Sequence, residues 1–348
     1  MNLYNNNLYL EDLYYVANID LPWEKLEGKS ILLSGATGMI GSFIVDVFLE
    51  KGLDCNIYAL NRNEEKARLR FIKWGKNSRL HFIPYDINNP FSGDDLGTID
   101  FVFHLASNTH PIQYSTDPIG SITTNIIGLK NMLDFALDHN ATRFVFASSN
   151  EIYGENRGDV ELFDELYCGY INSNTVRAGY PESKRCGETL CQAYIAQKGL
   201  DIVIPRLTRS YGPTMLMSDT KAISQFIRKG INKEDIVLKS LGNQYYSYTY
   251  VADAVSGLLT ILLKGNNGEV YNVADEKSDI MLKDLANLIA GIVNKKVIFE
   301  IPDEVELCGY SIVTKARLDG RKLKELGWSA QYDIQRGIER TLGILSEN

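Results

Sequence analysis

The sequence predicts an α/β fold, a doubly wound parallel sheet with a smaller, interleaved C-terminal lobe, and three observations lead there. Short strand-like runs alternate with helical stretches from residue 28 onward. Those runs are apolar throughout, as strands covered on both faces should be. The first of them feeds a helix through a glycine-rich turn. The 348 residues suffice for two domains or one large one.

Ahead of the alternation, residues 1–27 are rich in Asn, Tyr and Leu, and Leu10, Leu13, Tyr14 and Ala17 fall at helical spacing. This predicts an amphipathic extension docking on the body or on a second subunit, with no chemistry of its own. Ser30–Ser34 reads as the first strand and residues 43–49 as an apolar helical segment. Residues 56–60, 80–84, 101–105 and 144–148 repeat the strand pattern, so residues 28–205 form the sheet domain. From about Ile202 the texture changes to polar loops at 214–221 and 242–248 and helical patterns at 282–292 and 321–326. Residues 206–348 are therefore read mainly as a second lobe, with about 236–263 returning to the sheet domain. No clean linker divides them, so the two parts are expected to share a core and close around a cleft.

With 45% hydrophobic and 23% charged residues the chain has ordinary globular composition, which excludes disordered, collagenous and disulfide-scaffold classes. The formal net charge of −8, without an evident basic patch, argues against nucleic acid and anionic membrane as partners. Cys55, Cys168, Cys186, Cys191 and Cys308 form no C-x-x-C pair, and His81, His104, His110 and His139 lack metal-ligand spacing. No metal is expected, and the histidines read as core or surface residues. The N-terminus has no signal-peptide character and no apolar run reaches the ~18 residues of a membrane span. A soluble, cytoplasmic protein is the expectation.

The turn is Gly35-Ala36-Thr37-Gly38-Met39-Ile40-Gly41. Glycines there let backbone N–H groups approach a pyrophosphate at a helix start, whose dipole favours the negative charge. The spacing differs from the usual G-x-G-x-x-G, but its place between strand and helix predicts a dinucleotide site. NAD-binding folds carry an acid for the adenosine ribose at the end of the second strand, where this chain has Asn61-Arg62. Arg62 suits the 2′-phosphate of NADP, which tilts the expectation from NAD towards NADP; the alternative is a solvated loop arginine. Asp86 and Ile87 are placed for the adenine edge, and Leu105, Ala106 and Ser107 for the underside of the cofactor.

Tyr180 and Lys184 stand four residues apart, on one face of a helix. A nearby ammonium favours the phenolate, so Tyr180 can act as general base while hydride leaves the same carbon. Ser149, closing a strand, is placed to bond the same hydroxyl or the resulting carbonyl.

With these motifs the chain resembles the extended short-chain dehydrogenase/reductases from about Lys29 to Leu345, and within them the UDP-glucuronate decarboxylases. The resemblance rests on Phe103 to Ser107 with Pro111, Tyr114, Asp117-Pro118 and Thr124-Asn125, on Arg177 to Tyr180 with Lys184-Arg185, and on Tyr211-Gly212-Pro213, Tyr250 to Asp253 and Leu326-Gly327-Trp328. It implies a Rossmann-type NAD(P)-binding domain, a C-terminal substrate lobe, a nucleotide sugar oxidised to a 4-keto intermediate, and a homodimer formed through helices near 117–139 and 180–197. It also implies that Lys184 binds the nicotinamide ribose.

Departures from the family bear on the reaction. Where related dehydratases and decarboxylases carry Thr-Asp-Glu or Thr-Ser-Glu, this chain has Ser149-Asn150-Glu151. Glu151 then acts as acid or base beside the sugar C5, whereas Asn150 cannot protonate a departing hydroxyl. Arg209 stands where the family has Asn, Tyr246 where it has a phosphate-binding Arg, and Thr214 where decarboxylases carry an Arg. Arg209, with Lys221 as a second candidate, is expected to take over the diphosphate, and Asn108, Asn150 and Tyr246 are further candidate substrate contacts. Epimerisation is the first expectation and decarboxylation the second. An NADPH-dependent keto-sugar reductase and a non-catalytic dinucleotide-binding regulator stand as alternatives.

Overall fold

A computed structural model of the chain describes residues 3–302, 304–310 and 313–346. Helix α1 (Asn7–Ala17) comes first. Then follow β1 (Ser30–Ser34), α2 (Met39–Lys51), β2 (Asn56–Asn61), α3 (Glu64–Arg70), β3 (Leu80–Pro84), β4 (Phe101–His104), α4 (Pro111–Thr116), α5 (Pro118–Asp138), β5 (Arg143–Phe146), β6 (Ser148–Ser149), α6 (Gly179–Lys198) and β7 (Ile202–Leu207). The remainder supplies β8 (Arg209–Tyr211), α7 (Ala222–Ile231), β9 (Ile236–Leu238), β10 (Tyr245–Tyr250), α8 (Val251–Lys264), β11 (Val270–Val273), β12 (Asp279–Met281), α9 (Leu282–Ile292), β13 (Val297–Phe299), α10 (Glu304–Gly309), β14 (Lys315–Ala316), α11 (Arg321–Glu325) and α12 (Ile334–Ser346).

The large sheet runs β3-β2-β1-β4-β5-β7-β11 with β6 beside β7, and its pairings are parallel. The central positions of its strands are mostly apolar on both faces because alternate side chains enter two different cores. Ile31, Leu33, Phe103, Val145 and Val203 pack with α2 and α8, while Leu32, Val102, Phe144, Phe146 and Ile202 pack with α5 and α6. Helix α2 ends at Gly52, whose φ of 72° forms a left-handed cap. Helix α5 starts at Pro118 with the Asp117 carboxylate accepting from Gly120 N.

Two readings of the C-terminal half need correction. Residues 242–248, expected as a polar loop, belong largely to β10, which pairs with β8, β12 and β14. Its Tyr and Thr side chains score as polar yet favour strands, and from Tyr246 onward the side chains are buried, with Tyr246, Ser247 and Thr249 bonding through their hydroxyls. Of residues 236–263, only α8 packs on the large sheet; β9 and β10 lie in smaller sheets, and β11, from the stretch given to the second lobe, closes the edge of the large one. One hydrophobic core runs through both parts.

The N-terminal segment is bolted to this core. Helix α1 packs on α2, α8 and α12, with the Tyr9 ring edge-on to Phe43 at 5.8 Å. Tyr9 and Arg70 both donate to the buried Asp46 carboxylate, and Tyr250 and Arg340 to Asp12. Burial pushes the Asp12 carboxyl up to about 6 and that of Asp253, which accepts from Gln331 N and Tyr332 N, up to about 7. No helix among the described residues is long and apolar enough to cross a membrane, and they contain no group of His, Cys, Asp and Glu that could hold a metal.

Candidate active site

Parallel strands place their C-terminal ends at one edge of the sheet, and a cavity of about 390 Å³ opens there between the ends of β1, β4, β6 and β7 and the second lobe's α7, β9 and β10. One wall is the glycine turn. Gly35 has φ +75°, and a Cβ on it would sit 2.8 Å from Ala106 N; a Cβ on Gly41 would sit 2.4 Å from the Gly35 carbonyl. Gly38 starts α2 without a side-chain cap, so the helix presents its first turn, Met39 to Gly41, to the cleft. At the end of β2, Asn61 donates to the Ala59 carbonyl while its Oδ1 is buried without a partner. A close-approach turn, an open helix start and an orphaned acceptor beyond the next strand together fit a dinucleotide. Thr37, Asn61, Arg62, Asp86, Ile87, Ala106 and Asn108 lie outside the cleft lining, and Arg62 is exposed.

Strand β6 and helix α6 bring the predicted catalytic residues together. Ser149, Ser107 and Tyr180 line the same cleft. Burial and the Glu151 charge push the Tyr180 phenol up to about 12, against the lowering influence of Ser149, Arg177 and Ser107. Ser107 is itself fixed through Asn125 to Ser183, one turn on from Tyr180. Lys184 departs from expectation: its ammonium donates to the Ala147 carbonyl at 2.9 Å and lies 4.9 Å over the Phe146 ring. Burial lowers it to about 8, and the groups restraining the Tyr180 phenol are Ser149, Arg177 and Ser107 rather than Lys184.

Arg177 went unrecognised as a site residue. Its Nη2 donates to both oxygens of Glu151, at 2.9 and 2.8 Å, and its guanidinium lies 4.8 Å over the Tyr114 ring, which in turn stacks on Tyr180 at 4.9 Å. The Tyr-x-x-x-Lys spacing draws attention to residues after 180, while this pairing spans 26 positions back to Glu151. Asn150 follows on the floor beside Ser149.

Among the candidate substrate contacts, Arg209 lies 3.4 Å over the Tyr246 ring, and its buried Nη1 has no partner. Lys221 is already paired, donating to Asp219 at 3.0 Å and to Thr109 at 3.2 Å. Thr214, where an Arg was expected in a decarboxylase, donates to the Met39 carbonyl and ties its loop to the start of α2. The four histidines divide: His104 is buried, bonds Ser34 and is lowered to about 3 by burial, His81 stacks on Tyr58, and His139 bonds two backbone carbonyls. His110, however, lines the cleft 3.4 Å from Asp219. Sequence spacing gave no sign of this, since the two are joined only by the fold.

The family model of the NAD dependent epimerase/dehydratase family matches residues 31–274. UDP-glucuronic acid decarboxylase 3 of Arabidopsis thaliana is 32% identical, over 88% of this chain and 86% of that protein, and UDP-glucuronic acid decarboxylase 1 of Danio rerio is 30% identical over 91% and 73%. Among solved structures, a dTDP-glucose 4,6-dehydratase of Streptomyces venezuelae with NAD bound has a TM-score of 0.79 at 24% identity, covering 91% of this chain and 97% of that one. A UDP-glucuronic acid 4-epimerase of Bacillus cereus in complex with UDP-glucuronic acid and NAD has a TM-score of 0.79 at 23% identity, over 91% and 99%.

Proposed function

The chain belongs to the NAD-dependent epimerase/dehydratase family, and from that premise we propose that it remodels a nucleotide sugar through a transient 4-keto intermediate, with epimerisation as its reaction. The observation that carries this reading is the placement of Tyr180, Ser149 and Ser107 in the same cleft as the open start of α2. NAD(P)⁺, held by the turn from Gly35 to Gly41 and by Asn61, supplies the hydride acceptor when bound. Tyr180 takes the proton of the C4 hydroxyl, and Ser149 polarises the C4–O bond. Ser107 keeps the phenol aimed. Lys184, neutral in part near its lowered pKa of about 8, fixes the Ala147 carbonyl beneath the site and is placed to reach the cofactor's ribose.

The ketone acidifies the neighbouring C–H bond, and Glu151, oriented by Arg177, acts there. Asn150 is an amide and holds no proton for a departing hydroxyl, which disfavours dehydration. Arg209, stacked on Tyr246 with an unused N–H, is the diphosphate ligand, and Lys221 adds charge at the rim. For the cofactor, the exposed Arg62 beyond β2 offers a counter-charge to a 2′-phosphate, a preference that NAD and NADP titrations of the native protein and Arg62→Ala would decide. A homodimer through α5, which exposes Ile119 and Ile127, completes the reading and is checked by light scattering in solution.

Decarboxylation is the second reading, favoured by the names of the relatives at 32% and 30% identity. With Thr214 engaged on Met39, a substrate carboxylate would meet Arg177 or Arg209 instead. Incubation of the purified protein with UDP-, CDP-, GDP- and dTDP-sugars, followed by product masses and reduced-cofactor absorbance, tests both. A product of unchanged mass supports epimerisation, and one lighter by carbon dioxide supports decarboxylation. Tight NAD(P) binding with no turnover and no reduced cofactor would refute the enzyme reading.

A further inference from the structure

Resting on the keto-sugar reading, we propose that His110, oriented by Asp219, is a second proton-transfer group of the cleft, working with Glu151 on the carbon beside the C4 ketone. His110 precedes α4 as its N-cap residue but makes no side-chain cap bond, so the imidazole is not consumed by the helix start. Its Nδ1 is buried, lies 3.4 Å from Asp219 Oδ1 as a charge pair, and has no hydrogen-bond partner. Asp219 is 8% exposed and well anchored. Its Oδ1 accepts from Lys221 N, its Oδ2 from Lys221 Nζ, and its backbone carbonyl from Arg228. Burial alone would raise its carboxyl, but His110 and the Lys221 ammonium outweigh burial and hold it below the usual carboxylate range.

A carboxylate facing Nδ1 sets that nitrogen as the N–H donor and leaves Nε2, on the opposite edge of the ring, as the acid–base atom. The same device orients the histidine of hydrolytic triads. Tyr114 ties the pair to the reaction centre. It lies one helical turn beyond His110, stacks on Tyr180 at 4.9 Å, and its phenol is raised by burial, by Tyr180 and by the charges of both Glu151 and Asp219. Two carboxylate-anchored groups, Glu151 with Arg177 and His110 with Asp219, thus gather around one aromatic stack inside one cleft.

For a sugar held in one orientation, inversion of a stereocentre beside a ketone needs two such groups, because a single one returns the proton to the face it left. Glu151 removes the C–H proton, and the bond's electron pair forms the enolate double bond as O4 takes the charge. Protonated His110 then gives its Nε2 proton to the other face; the enolate pair forms the new C–H bond and the ketone returns. Carbon undergoes no net redox change in this step, and exchange with water resets both groups.

The test runs native protein, His110→Gln, Asp219→Asn and Thr109→Ala with UDP-glucuronic acid, UDP-glucose and dTDP-glucose in D₂O, reading deuterium position, product rate and transient reduced cofactor. Native product is expected to carry deuterium at the carbon next to C4. His110→Gln should lower product formation by about 100-fold while reduced cofactor still appears, and Asp219→Asn should lower it less, with the same pattern. Thr109→Ala breaks the Lys221 contact of the same cluster without touching the imidazole and should leave the product rate within about twofold. An equal loss in Thr109→Ala would make the cluster a structural clasp and overturn the proposal. So would a His110→Gln rate near native, or native product without deuterium at that carbon. Absence of any native turnover would instead overturn the keto-sugar reading on which the proposal rests.

Discussion

If Tyr180 is the base, as proposed, the charges around its phenol set the pH dependence of oxidation. Burial and Glu151 raise this phenol to about 12, while Ser149, Arg177 and Ser107 pull it down. Oxidation at C4 should therefore speed up as pH rises, because the phenolate fraction grows up to that value. Glu151→Gln removes a neighbouring negative charge, so the rising limb of the oxidation rate should move to lower pH; Arg177→Met removes a positive one and should move it higher. Stopped-flow absorbance of the reduced cofactor against pH checks both signs, and a limb that stays in place in both variants would show that neither charge reaches the phenol. Arg209→Ala should raise KM for the nucleotide sugar by about 10-fold or more with a smaller effect on kcat, as expected for a charge-assisted contact to phosphate. That Tyr180 and Lys184 share one helix face was legible because four residues make about one helical turn. Arg177 on Glu151 and His110 on Asp219 were not, since partners 26 and 109 positions away meet only once the sheet edge has formed.

Among the elements, the turn between β1 and α2 and the N-terminal helix are the most constrained. A methyl group on Gly41 would press to 2.4 Å against the Gly35 carbonyl. Gly41→Ala should cost about 1–3 kcal/mol of stability and weaken dinucleotide binding at least as clearly, read by thermal shift and by cofactor fluorescence. The α1 interface carries its own pH dependence. Asp253 is raised from 3.8 to about 7 by burial, so its contribution to stability is complete below its unfolded pKa and is lost as pH rises through about 7. The melting temperature of the native chain should fall more between about pH 5.5 and pH 8 than that of Asp253→Asn; equal falls would remove Asp253 as the cause. Strands β1 to β5 were legible at nearly their observed bounds because their continuous apolar runs have one reading. Strand β10 was not, because Tyr, Ser and Thr score as polar while their rings and hydroxyls serve buried strands.

For the whole molecule, a net charge of −8 must coexist with a cleft built for anions. On the proposed reading this is met by local placement: the open start of α2 at one end and Arg209, with an unpartnered N–H, at the other, whereas Arg177 and Lys221 are paired with Glu151 and Asp219. Raising the ionic strength should therefore raise KM for the nucleotide sugar severalfold with little change in melting temperature, as screening acts on exposed, long-range attraction more than on a packed core. The alternation of strands and helices in the first half was readable from the sequence, whereas the crossing of β11 into the large sheet depended on long-range pairing that no local pattern encodes. The central claim is the transient ketone, and rapid mixing of the cofactor-loaded protein with the sugar panel tests it most directly. Reduced nicotinamide should appear and decay as product forms in the native protein and be absent in Tyr180→Phe that still binds cofactor and sugar; product formed with no reduced nicotinamide, or an unchanged transient in Tyr180→Phe, would contradict the account.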